Sequence, residues 1–203
     1  KGSGVTVERG AGAIVGDEEL WLNGSVYAAV ACLNGLLPIH ASAVAHEGRV
    51  YAFTGHSGAG KSTLVTALGH HGLPMFCDDT LVLDLDGAGA GGGAGARAGE
   101  ARVACLPGHK RLKLTPEALA LTGARAQERV CADLDKFYAV PPFGDVGTVL
   151  PLGALVFLEE GDEEAFLPIT GAERIARLQD DHYTARLFLA ARGMDRGALF
   201  GHL

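Results

Sequence analysis

Apolar and polar positions change period several times along the 203 residues, and each change marks an element. Residues 5 to 15 alternate loosely, as an edge strand does. From Leu20 to Leu37 the apolar residues, Trp21, Val26, Val30 and Leu33 among them, fall at helical intervals, so a buried helix is predicted up to Pro38. Two β-like runs follow, Ile39 to Ala45 and Arg49 to Thr54, with His46-Glu47-Gly48 between them as a hairpin turn. Ser62 to Leu68 returns to helical spacing and stops at Gly72-Leu73-Pro74.

Met75-Phe76-Cys77 then reads as a short buried strand ending in Asp78-Asp79, and Thr80 to Leu85 as the next strand. Val103 to Leu106 and Leu152 to Leu158 are further strands. Thr115 and Pro116 have the N-cap and first-turn character of a helix start. Short helical stretches close the sequence, Ala172 to Leu178 and Thr184 to Ala191. Gly87 to Gly99 holds seven Gly, five Ala and Arg97, too little apolar surface to order itself, so a flexible loop is predicted there. No internal repeat is visible. Alternating strands and helices at this length predict one α/β domain over residues 1–203, a mixed sheet flanked by helices.

Charge narrows the function classes. The 17 basic and 24 acidic residues leave a net charge of −7, which argues against a nucleic-acid or anionic-membrane surface despite the cluster Lys110, Arg111 and Lys113. The longest uncharged stretch, Leu20 to Ala45, is interrupted by Asn23, Asn34, Gly35, Pro38 and His40, so no membrane span is read. Cys32, Cys77, Cys105 and Cys131 form no C-x-x-C pair and lie in apolar settings, as reduced thiols of a cytoplasmic protein do.

One motif carries chemistry on its own. Gly55-His56-Ser57-Gly58-Ala59-Gly60-Lys61-Ser62, followed by Thr63, fits G-x-x-x-x-G-K-[ST] at every fixed position and lies between a strand-like and a helix-like run. Glycines let successive N–H groups converge on an anion, and the start of the following helix adds its positive end. A nucleoside triphosphate is the expected ligand, with Lys61 on the β- and γ-phosphates and the Ser62 hydroxyl on Mg²⁺. Asp78-Asp79 follows at a strand end, where one carboxylate can serve Mg²⁺ and the other can accept a proton from an attacking hydroxyl. Lys110 and Arg111 offer a cation for the transferring phosphoryl group, or form a basic surface turn.

Taken together, Ile39-His40-Ala41-Ser42-Ala43-Val44, the sequence GHSGAGKST and Cys77-Asp78-Asp79 resemble the catalytic domain of bacterial HPr kinase/phosphorylase and its shorter relatives. The resemblance is good over residues 36 to 85 and looser to about residue 190. It implies a P-loop kinase-like mixed sheet, ATP and Mg²⁺ as cofactors, and transfer of the γ-phosphoryl group to a serine. Asp79 would be the proton acceptor, His40 its tuning neighbour, Lys61 the γ-phosphate ligand, and Ser62 with Asp78 the metal ligands. Some short relatives phosphorylate lasso-peptide precursors, so a ribosomal peptide or small protein is the implied acceptor, and a homo-oligomer is the family habit.

Departures accompany the likeness. The family's separate N-terminal domain has no room in this chain, and Glu100 is a poor match for the family's second metal-binding glutamate. Two other readings stand beside the serine kinase. A small-molecule kinase would need an Arg-bearing lid, and the Gly87–Gly99 loop has only Arg97. A nucleotide sensor would bind without turnover.

Overall fold

The computed structural model of the chain describes residues 4–12, 15–86, 103–180 and 190. The Gly87–Gly99 loop, Glu100 and most of the Thr184–Ala191 helix lie outside the described residues.

The first regular element is a helical segment in three parts: α1 (Val15–Trp21), a single π turn (Leu22–Val26) and α2 (Tyr27–Leu33). The apolar spacing from Leu20 onward is thus helical as expected, but the helix is not buried throughout. Ala28, Ala31 and Cys32 are enclosed, whereas Trp21 is 63% exposed. Residues 4–12 form no strand, and Val5 and Val7 are exposed, so the loose alternation there does not make the expected edge strand.

Then come β1 (Leu37–Ile39), β2 (Ala41–His46), β3 (Arg49–Thr54) and α3 (Lys61–His70). The sheet continues through β4 (Met75–Cys77), β5 (Leu81–Asp84) and β6 (Ala104–Leu106). Next are β7 (Leu112–Leu114), α4 (Pro116–Thr122), β8 (Ala126–Cys131), β9 (Leu134–Ala139), β10 (Leu150–Phe157) and α5 (Gly171–Asp180). Seven strands make a mixed sheet in the order β1-β5-β6-β10-β3-β2-β4, and β7-β9-β8 make a small second sheet. Among the paired strands of the described residues in this sheet, β10 and β3 run parallel and the other pairs antiparallel. Pro38 is tolerated because β1 is an edge strand, where a missing N–H leaves no ladder bond unmade. Helices flank the sheet, as the α/β reading requires.

Two apolar clusters hold these layers. Ala41, Ala43, Val50, Ala52, Phe76 and Leu83 pack on one side of the sheet with Cys32 of α2. Val44, Met75 and Val65 of α3 pack on the other with Leu112 and Leu114 of the small sheet. The side chains of β2 therefore alternate between the two clusters, and that alternation sends Ser42 to the α3 side with Val44. Each fully buried Leu or Val contributes about 1.5–3 kcal/mol by area removed from water. The cysteines are free thiols, and burial pushes Cys105 up to about 12 and raises Cys77 as well, so both behave as neutral core groups.

Candidate active site

Strand registers bring the motif residues together. In the β2–β3 hairpin Ala41 faces Thr54, so His40, one step before β2, comes beside Gly55, the first residue of the P-loop. On the other side of β2, Ala43 faces Cys77, which places Ser42 next to Asp78. The acid turn is not adjacent to the P-loop strand. β2 lies between them and reaches both.

The P-loop has the backbone that its glycines permit. Gly55, Gly58 and Gly60 have φ of +139°, +93° and +88°. A Cβ on Gly55 would also come within 2.7 Å of the Leu158 carbonyl, while Gly58 and Gly60 border open space, so their requirement is conformational. Gly60 is the N-cap of α3 and has no side chain to cover the first N–H groups of the helix, which by helix geometry point back into the loop. Lys61, buried to 7% exposure, donates from Nζ to the carbonyls of Gly55 (2.7 Å) and His56 (2.9 Å). Those bonds tie the head of the loop to its end. His56 Nδ1 donates to the Ser57 carbonyl at 2.8 Å.

The two acids have separate surroundings. Asp78 is 1% exposed and accepts three hydrogen bonds: Ser42 Oγ (2.6 Å) and Ser62 Oγ (2.8 Å) on Oδ1, and the Lys113 backbone N–H (2.9 Å) on Oδ2. Asp79 turns the other way because its backbone enters the left-handed region, with φ +71°. Aspartate bears that conformation better than most residues, although the strain is of order 1 kcal/mol. His40 holds the turn, donating from Nδ1 to the Asp79 carbonyl at 2.9 Å. That bond makes Nδ1 the protonated ring nitrogen.

Lys113 completes the arrangement, its Nζ lying 2.7 Å from Asp79 Oδ2, while His40 Nδ1 stands 3.5 Å from Oδ1. Burial alone would push the Asp79 carboxyl up. The Lys113 charge and hydrogen bond, helped by His40 and Lys136, outweigh it and hold the group below its usual value. Asp79 is therefore ionised at neutral pH, with Oδ2 committed to Lys113 and Oδ1 open to a further donor. His40 and Asp79 line a cleft of about 510 Å³ together with Gly55, His56 and Ser57.

In the sequence Lys113 stands out only as part of a basic cluster. Its double contact comes from the pairing of β7 with β9, a long-range event that no local pattern announces. Its two companions lie elsewhere. Lys110 donates to the carbonyls of Phe76 and Val146, with Nζ 5.2 Å from the Phe76 ring centre, and desolvation lowers its pKa. Arg111 stacks 3.6 Å from the Tyr138 ring centre, pairs with Glu128 and lies 3.8 Å from Glu19. None of these partners belongs to the P-loop or to the acid pair, so the geometry gives Arg111 a place in the small sheet rather than in the cleft.

The donor set suits a hard cation. Ser62 gives its hydroxyl proton to Asp78, which leaves the oxygen lone pairs of Ser62 for a metal, and Asp78 stands behind it as the fixed acceptor. Among the described residues no group of three or more His, Cys, Asp or Glu side chains is placed to hold a metal ion. Mg²⁺ needs none, since it binds through one or two protein oxygens and substrate phosphates.

No family model matches the chain, and no curated protein matches it. Among solved structures, the HPr(Ser) kinase/phosphatase from Coxiella burnetii is similar, with 14% identity and a TM-score of 0.38 over 64% of this chain and 71% of that one. Among the described residues no helix is long and apolar enough to cross a membrane.

Proposed function

We propose that this chain is a Mg·ATP-dependent phosphotransferase that moves the γ-phosphoryl group to a serine hydroxyl of a small protein or ribosomal peptide, with Asp79 as general base. The observation that carries the reading is the division of labour in the acid turn. Asp78 is enclosed and bound to the P-loop serine, while Asp79 is ionised and opens on the cleft that begins at Gly55.

The P-loop N–H groups and Lys61 would cradle the phosphates. Mg²⁺, held by Ser62 with Asp78 behind it, would neutralise charge on the β- and γ-phosphates. Asp79 Oδ1 takes the proton of the acceptor hydroxyl as that oxygen bonds to phosphorus and the bond to the β-phosphate oxygen breaks, releasing ADP. His40 positions Asp79 by holding its carbonyl, and Lys113 keeps its carboxyl charged. The cation nearest the base is Lys113, so no role in transfer is given to Arg111.

Incubation with labelled ATP, Mg²⁺ and serine-containing peptides tests the reading by mass spectrometry. Asp79→Asn keeps a residue suited to positive φ and is expected to lower transfer by about 10²–10⁴-fold while nucleotide still binds. Transfer by that variant at the wild-type rate would remove Asp79 as base. Nucleotide binding with no transfer to any hydroxyl would make the chain a sensor, and transfer to small alcohols alone would make it a small-molecule kinase.

A further inference from the structure

The cleft that opens on Asp79 has a third wall, supplied by neither the P-loop nor the acid turn. Leu20 and Trp21, at the end of α1, and Gly24 and Ser25, in the π turn, share its lining with His40 and Asp79. Trp21 is 63% exposed there, although tryptophan ordinarily buries most of its large surface.

The backbone gives the reason. A π turn spends an extra residue per turn, which rotates the residues before it relative to the stripe that α2 buries. Ala28, Ala31 and Cys32 anchor that stripe in the core, and Trp21 is left on the cleft. Single π turns inside helices are frequent at functional sites.

The chemistry of the wall selects an occupant. Leu20, Trp21, Gly24 and Ser25 carry no charge, so a phosphorylated or carboxylated small alcohol finds no counter-ion on them. A small-molecule site encloses most of its ligand's surface. A wall whose main side chain is 63% exposed encloses nothing; it supports a chain that continues past the cleft. An exposed aromatic face gives such a chain a large contact area at low entropic cost.

Resting on the reading of Asp79 as base, the geometry points to Trp21 as the residue that determines acceptor specificity. An extended peptide segment places its serine at Asp79 and lays a neighbouring bulky apolar side chain on the indole. The apolar neighbour, rather than a charged one, is the recognition element.

Trp21 is the single tryptophan of the chain, so its emission reports the wall directly. Two peptides are compared, with Phe or with Gly beside the serine, each also made with Ala in place of serine so that binding is read without transfer. The Phe-flanked Ala peptide should shift Trp21 emission saturably and its Gly counterpart should not. Transfer should favour the Phe-flanked serine by about 10–100-fold, the scale of discrimination that apolar contacts provide. Trp21→Ala should bring that ratio towards one and Trp21→Phe should restore part of it, with melting curves checking that both variants fold. A ratio unchanged in Trp21→Ala overturns the inference, as does saturable peptide binding with constant emission. A selective emission change without any transfer supports the wall and removes the base. Transfer without flank preference does the reverse.

Discussion

Lys113 holds both members of the acid pair at once, Asp78 through its backbone N–H at 2.9 Å and Asp79 through its ammonium at 2.7 Å. A carboxylate held below its usual pKa stays ionised in the folded protein until pH falls through that lower value, and the stability it adds is lost over the same fall. In the wild type the acid limb of transfer should therefore lie below the ordinary carboxylate range. Lys113→Met removes the largest lowering influence and leaves burial, which raises the pKa. The acid limb of kcat/KM should move to higher pH, and a pH–rate profile of the two proteins measures it. An unmoved limb would mean that a different group limits the reaction.

Ser42 should matter although it touches no part of the P-loop in the hydrogen-bond network. Its hydroxyl is the shortest of the three donors on the enclosed Asp78 carboxylate. Ser42→Ala is expected to cost about 1.5–3 kcal/mol, the range for a hydrogen bond to a charged group. It should also raise the Mg²⁺ concentration needed for nucleotide binding, because Asp78 then holds Ser62 less firmly. Urea unfolding and a Mg²⁺ titration read the two effects separately.

Gly108 is required by space rather than by dihedral freedom. A Cβ there would stand 2.7 Å from the Cys77 Cβ and 2.9 Å from the Thr80 carbonyl, on both sides of the acid turn. The neighbours are a strand end and backbone, which yield little. Gly108→Ala should destabilise the protein by about 1–3 kcal/mol, the usual cost of overpacking. It should reduce transfer beyond that, since the displaced segment carries both acids. Thermal melting and initial rates check the pair of effects.

Arg111→Ala separates two roles for the basic cluster. The guanidinium stacks on Tyr138, a contact worth about 0.5–1 kcal/mol at a partly exposed site, and also pairs with the exposed Glu128. Stability should fall by that amount and transfer should stay within a few-fold of wild type. A loss of transfer by a factor of a hundred at full stability would return Arg111 to the phosphoryl group.

Much of this arrangement is legible before any coordinates. The P-loop is readable because its fixed positions are set by backbone chemistry rather than by packing, and α3 begins at its lysine. Thr115 caps α4 as its residue type implies, accepting from the Ala118 N–H at 3.2 Å with Pro116 in the first turn. β8 is not legible. Its residues Ala126 to Arg129 are exposed, so the apolar alternation that announces a half-buried strand is missing. The exposure of Trp21 is hidden for the opposite reason, since its spacing from Val26 and Val30 matches a buried helix and the extra residue of a π turn leaves no signature in composition. The opposed directions of Asp78 and Asp79 follow from a single positive φ and not from strand alternation, because β4 ends at Cys77.

The reversal between β2 and β3 is made by Glu47 and Gly48, with φ of +47° and +71°, the sign pattern of the tight two-residue hairpin. It lies five strand steps from Ala41, about 17 Å away. Because side chains alternate, inserting one residue there would shift the whole strand by half a pleat, turning Ser42 toward the wrong cluster and drawing His40 off Gly55. A solvent-facing bend remote from the P-loop thus acts as the alignment pin for both halves of the proposed site.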